Sequence, residues 1–246
     1  MSIYRHQPEA PTALRRLAPG GAIDTHWHDE HQIVYAATGV LSVTTGEGRW
    51  TIPPSLAIWV PARTTHGHRA YGTTDVHLVG FAPGENPLEL TAPTALAVTP
   101  LLRELLIAAT QDPGGDAGER ARLRAVLLDR LRPASARPVH LPAPRDPRLV
   151  AVCAALHADP ADGRSLAAFG AVAGAGERTL SRLFRAELGM TFPQWRTQSR
   201  LHHALVLLAR DVPVTVVAHR CGWSTPSAFI DVYRRAFGHT PGRYAR

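Results

Sequence analysis

Lysine is missing from this 246-residue chain, and all 27 of its basic residues are arginines. Alanine and proline are abundant as well, so the missing lysine reflects genomic base composition and carries no functional weight. Cysteine is scarce, with only Cys153 and Cys221, each inside an apolar helical pattern. Two such positions exclude a disulfide framework and a thiolate zinc motif, and they fit a reducing cytosol. No stretch approaches the ~18 apolar residues of a membrane span. The opening "MSIYRHQPEAPTALRRL" holds no apolar signal core. The expectation is a soluble, cytoplasmic protein with no membrane partner.

At 45% hydrophobic residues, the chain can bury a proper core and is long enough for two domains. The charge is unevenly placed. Residues 1–144 hold 13 Arg against 13 acidic residues, whereas residues 145–246 hold 14 Arg against 7. The whole excess of +7 therefore lies in the last 102 residues. A basic domain joined to a neutral one points to a polyanionic partner, most often nucleic acid.

Three zones follow one another. From Ile23 to Phe81 short apolar–polar alternations recur, including "VLSVTTGEGRWTI", "SLAIWVP" and "DVHLVGF", with a hairpin turn at Gly46-Glu47-Gly48. Their spacing predicts a small β-barrel over residues 1–98. At Thr99 the period becomes helical. "TPLLRELLIAATQ" and "ERARLRAVLLDRLR" predict two amphipathic helices within 99–132, broken at "DPGGDAG". Their leucine faces (Leu101, Leu102, Leu105 and Leu106, then Leu123, Val126, Leu127 and Leu131) either cover the barrel or pair two chains. The second reading, a homodimer, is preferred. Residues 133–147 are proline-rich and read as a linker. Residues 148–246 read as all-α.

Within that last zone two helix-turn-helix units are predicted. The first runs from the N-cap Ser165 through Leu166, Phe169 and Val172, turns at Gly174-Ala175-Gly176, and resumes from Glu177 to Leu188. Its second helix turns Leu180, Leu183 and Phe184 inward and leaves Arg178, Ser181, Arg182 and Arg185 outward. The second unit runs from about Val214 to Cys221, turns through Gly222-Trp223-Ser224, and resumes from Pro226 to Phe237. Phe229, Val232, Tyr233 and Phe237 are inward there, with Thr225, Ser227, Arg234 and Arg235 left for DNA. A long helix carrying Trp195, Leu201, Ala204, Leu205 and Leu208 would hold the two readers one helical turn of duplex apart. The stretch "CGWSTPSAFIDVYRRAFGHTPGRYAR" resembles the AraC/XylS family of bacterial transcriptional regulators, with the likeness extending over about 100 residues. Departures are Gly176, where a Ser often caps the first recognition helix, and Gly170 in the helix before it.

"THWHDEHQ", Thr25 to Gln32, concentrates three histidines. In a strand His26 and His28 share a face, and after a turn at Asp29-Glu30 Gln32 can return to it. Together with Gly39, and with Pro61 and His66 downstream, these residues resemble the two motifs of the cupin barrel. Gln32 stands for the motif's Glu, and Arg63 for the Gly of the second motif. The resemblance implies a site for a divalent first-row metal (Zn, Fe, Ni, Co or Mn) held by His26, His28, Gln32 and His66, with His31 or His68 as substitutes for the lost carboxylate. The same pocket without metal could take an organic effector. His77, His202 and His203 are read as structural.

The expectation is a two-domain α+β protein: a cupin-like barrel with a helical dimerisation segment, then a double helix-turn-helix domain. It would be a non-enzymatic regulator that binds a double-stranded DNA operator and senses a small effector or metal ion. The alternatives are a metal-dependent cupin enzyme and a DNA-binding protein whose barrel only dimerises.

Overall fold

The computed structural model describes residues 5–111, 116–134 and 139–242. The chain divides into two compact units, residues 1–46 with 51–138, and residues 47–50 with 139–246. The expected helix break at "DPGGDAG" and the last residues of the family-like signature lie largely outside the described residues.

The first unit is built from β1 (Arg5–Gln7), β2 (Ala13–Leu17), β3 (Ala22–His28), β4 (His31–Ala36), β5 (Val40–Thr45), β6 (Gly48–Ile52), β7 (Leu56–Val60), β8 (His66–Tyr71), β9 (Thr74–Phe81) and β10 (Thr94–Ala97). Within this unit they form two sheets, one with β1-β3-β8-β5 in order and the other β10-β7-β4-β9-β2, while β6 carries residues 48–50 into the second unit. Pairing is antiparallel apart from β1 on β3. β1, β2 and β10 extend the sheets beyond the span whose alternation announced them. A tight turn between β4 and β5 holds Gly39 at φ 67°, where a Cβ would lie 2.5 Å from Thr74 Oγ1. That explains why this position admits glycine alone.

Strands β4 and β7 are buried on both faces, so their apolar runs lack clean alternation. The cover is helical: α1 (Pro100–Gln111) and α2 (Ala117–Asp129). Leu102, Leu106, Leu127 and Leu131 are fully buried against Ile33, Tyr35, Trp59, Val79 and Phe81. Each contributes about 2 kcal/mol by burial, so these leucines serve the barrel itself. Leu101 and Val126 remain exposed at 51% and 41%.

The second unit opens with β11 (Val139–Pro142), within the stretch read as linker. It packs on residues 47–50: Ala143 N donates to Glu47 O at 3.2 Å, and His140 stacks on Trp50 at 3.9 Å. These long-range pairings make part of the proline-rich segment a strand, which local composition does not reveal. Six helices follow: α3 (Pro147–Ala158), α4 (Leu166–Ala173), α5 (Glu177–Leu188), α6 (Phe192–Leu208), α7 (Val214–Arg220) and α8 (Pro226–Phe237). Side chains start most of them. Asp146 caps α3, Ser165 α4, Thr225 α8, and Thr191 with Gln194 forms a reciprocal capping box on α6. The core joins Leu149, Val152, Leu156, Phe169, Leu180, Phe184 and Trp195. Val172, expected inward, is 73% exposed; Gly170 is the buried residue of that turn instead.

Candidate metal centre and nucleic-acid interface

The histidines converge because β3 and β8 are antiparallel neighbours with His26 directly opposite His66. Period-two geometry then puts His28 beside His26, and His68 beside His66, on one sheet face. Ring centroids lie 4.5 Å apart for His26–His66, 4.9 Å for His28–His66 and 5.2 Å for His66–His68. Side-chain nitrogens of His26, His66 and His68 lie within 4.8 Å of one another. All four rings are buried.

Their backbone contacts set the tautomers. Nδ1–H of His26 donates to Asp24 O at 2.7 Å, that of His28 to Glu30 O at 2.6 Å, and that of His66 to Thr64 O at 2.8 Å. Nε2 is left with its lone pair in each case, the form in which imidazole ligates a metal. Nε2 of His66 and both nitrogens of His68 are buried without a protein hydrogen-bond partner among the described residues, and the Gln32 side chain lies beside His28. Such unpartnered acceptors are costly unless something else occupies the site. Burial pushes the His66 pKa down to about 3, against the support of the Thr64 carbonyl and with help from His26 and His28. Burial likewise lowers His28, and holds His68 well below the usual imidazole range. His28, His66 and His68 are therefore neutral and lone-pair-rich at neutral pH, which fits a divalent late first-row ion.

Gln32 is fully buried and comes from the other sheet, its Nε2 reaching Pro11 O at 3.5 Å. His31 is not available as a substitute ligand. Its Nδ1 accepts from Ala62 N at 3.0 Å and its Nε2 donates to Pro83 O at 3.1 Å. His68, named only as a substitute, sits with the others; the signal for it was a second H-x-H, His66-Gly67-His68, at strand period. Arg63, in the place of the motif's glycine, adopts φ 63°, the left-handed backbone that glycine would supply freely. His77 bonds Thr110 Oγ1 at 2.5 Å and is structural, as expected.

In the second unit, Arg178, Arg182 and Arg185 are exposed along α5 and Ser181 is half-buried. Arg185 Nη1 donates to Ser181 Oγ at 2.6 Å. Thr225, Ser227, Arg234 and Arg235 are exposed on α8. Thr225 Oγ1 accepts from Ala228 N at 3.1 Å, so this hydroxyl also caps the helix. Arg234 pairs with Asp231 at 2.8 Å, an exposed i,i+3 pair worth little and easily exchanged for a phosphate. Gly176 caps α5 without any side-chain bond. Gly170 has a packing reason: a Cβ there would lie 2.3 Å from Ala175 O, in the turn between α4 and α5.

No helix among the described residues is long and apolar enough to cross a membrane. Residues 169–246 match the helix-turn-helix domain model, and residues 13–81 match the cupin domain model. The chain is 29% identical over 221 residues to the HTH-type transcriptional regulator NimR of Escherichia coli, covering 89% of this chain and 81% of that protein. It is 39% identical over 104 residues to the HTH-type transcriptional regulator RipA of Corynebacterium glutamicum, covering 42% of this chain and 31% of RipA. The crystal structure of ToxT from Vibrio cholerae aligns over 97% of both chains with a TM-score of 0.41 and 10% identity, too remote to support any argument. The matched relatives are named as regulators of transcription, not as enzymes. The chain is thus similar to AraC-type DNA-binding transcriptional regulators, with a cupin domain preceding its helix-turn-helix domain.

Proposed function

We propose that this regulator reads a divalent metal, or a small effector bound through one, in its barrel and converts occupancy into a change in operator affinity. The observation that carries the reading is the set of buried imidazole nitrogens left without protein partners. The ligand set read from the motifs is His26, His28, Gln32 and His66. A signal of this kind works only if the ion or effector binds the DNA-competent and DNA-incompetent arrangements unequally. Arg178, Ser181, Arg182 and Arg185 serve the first major groove, and Thr225, Ser227, Arg234 and Arg235 the second. Arginines there either pair with guanine edges or neutralise phosphates. Leu101 and Val126, left exposed on α1 and α2, support a homodimer formed through these helices.

The test combines metal analysis with DNA binding. Untagged protein purified without chelator is expected to carry about one ion per chain, lost in the His26→Ala/His28→Ala double variant. On an operator recovered by in vitro selection, the double variant should still bind DNA but ignore added metal. Arg182→Ala should weaken binding and, if it contacts phosphate, lower the salt slope by about 1. Operator binding that stays constant across all metals and effectors would favour a barrel that only dimerises.

A further inference from the structure

The motif-based ligand set assigns the fourth position to Gln32, and the geometry points elsewhere. We propose that the metal centre is an all-imidazole site of His26, His28, His66 and His68, in which His68 is a ligand and Gln32 is not. This deepens the metal-sensing reading and rests on it.

Four observations converge. The four rings belong to two hydrogen-bonded strands, two per strand at period two, so one sheet face presents them as a unit. Imidazoles bound to one ion at ~2.1 Å have ring centroids about 5 Å apart. Here His26–His66, His28–His66 and His66–His68 stand at 4.5, 4.9 and 5.2 Å, with His26–His68 at 6.0 Å. The compact trio of nitrogens is His26, His66 and His68, and His28 joins it through ring contacts with His26 and His66 at 5.9 and 4.9 Å. Finally, His68 is 4% exposed with neither ring nitrogen bonded to protein. A side chain that only filled space there would leave two buried polar atoms unsatisfied, and a leucine would serve better. Gln32 approaches from the facing sheet and lies against the His28 side chain, where its amide can orient that ring from outside the ligand set. Its neutral amide oxygen is also the weaker donor for a late first-row ion.

The donor chemistry narrows the ion. Four neutral nitrogens and no carboxylate favour Co, Ni or Zn, and disfavour Mn, which prefers oxygen ligands. Nothing in the set offsets the ion's charge, so affinity depends on nitrogen donors alone, and losing one should be felt strongly.

The experiment compares wild-type full-length chain with His68→Leu and Gln32→Leu, using Zn2+ and Co2+ as probes. Affinities come from chelator competition, and a melt is recorded with and without metal. His68→Leu is expected to weaken both ions by at least ~100-fold, more than the loss of an outer-shell partner does. It should abolish the metal-induced rise in melting temperature, and its metal-free melt should be no lower than wild type. Gln32→Leu should cost no more than about 10-fold, the lower end of what losing an outer-shell partner does. Equal or greater loss in Gln32→Leu, or wild-type affinity in His68→Leu, overturns the proposal while leaving a metal site in place. Failure of the wild-type chain to bind either ion overturns the metal reading as a whole. If His68→Leu does not fold, X-ray absorption at the zinc edge of the wild type decides: four imidazoles sustain the proposal and three overturn it.

Discussion

Arg63 takes up the left-handed backbone of the glycine it replaces in the motif. The second cupin motif places glycine where this chain has arginine, and Arg63 accepts φ 63° to keep the turn. The turn is anchored by Arg63 N donating to His28 O at 2.7 Å, so the constraint lies next to the histidine cluster. The Arg63 guanidinium offsets little of the cost, since its pairing with Asp29 is long (3.4 Å) and exposed. Arg63→Gly should therefore raise stability by about 1 kcal/mol, read as a shift of the denaturation midpoint. A lower midpoint would mean that the arginine side chain, rather than its backbone, matters to the fold.

At the scale of the element, the turn between α4 and α5 governs α5, the helix proposed to read the first major groove. By propensity Gly170 only weakens α4, which is how the sequence presents it. Close approach reverses the argument, because the backbone of Ala175 occupies the space a methyl group would need. Gly170→Ala should cost about 1–3 kcal/mol despite alanine's better helix propensity, and should weaken operator binding by displacing α5. A chemical denaturation curve and a gel-shift titration check the two effects. Unchanged stability would return Gly170 to the status of a tolerated weak spot.

Across the whole molecule, buried neutral histidines recur in both units, and acid should act on both. His66 and His202 are pushed down to about 3, and His140 to about 4, with burial the first cause in each case. His203, Arg49 and His157 lower His202 further. A folded pKa below the unfolded value of about 6.5 means that only the unfolded chain takes up protons as the pH falls below that value. The stability tied to these groups is present above about pH 6.5 and is lost progressively toward their folded pKa values. Each group pushed to about 3 costs about 2 kcal/mol by pH 5. Thermal melts between pH 7 and 5 should fall steeply, and His202→Leu should flatten part of that slope. A slope unchanged in His202→Leu would show that this ring is protonated in the fold.

The chain by itself determined the class of both halves, since that information is local. Helical period, the cap at Ser165, and the arginine-rich outer faces of α5 and α8 can all be read along the chain. So can the strand-period histidines that mark the barrel face. Tertiary structure decided what depends on which strands become neighbours. Antiparallel pairing of β3 with β8 brought His68 to His26 and His66, while hydrogen bonds to Ala62 N and Pro83 O removed His31. Packing on the sheet showed that Leu102, Leu106, Leu127 and Leu131 cover the barrel, a question their periodicity left open. Strand β11 arose from a partner distant in sequence. Such pairings depend on long-range register and burial, which no window of residues contains.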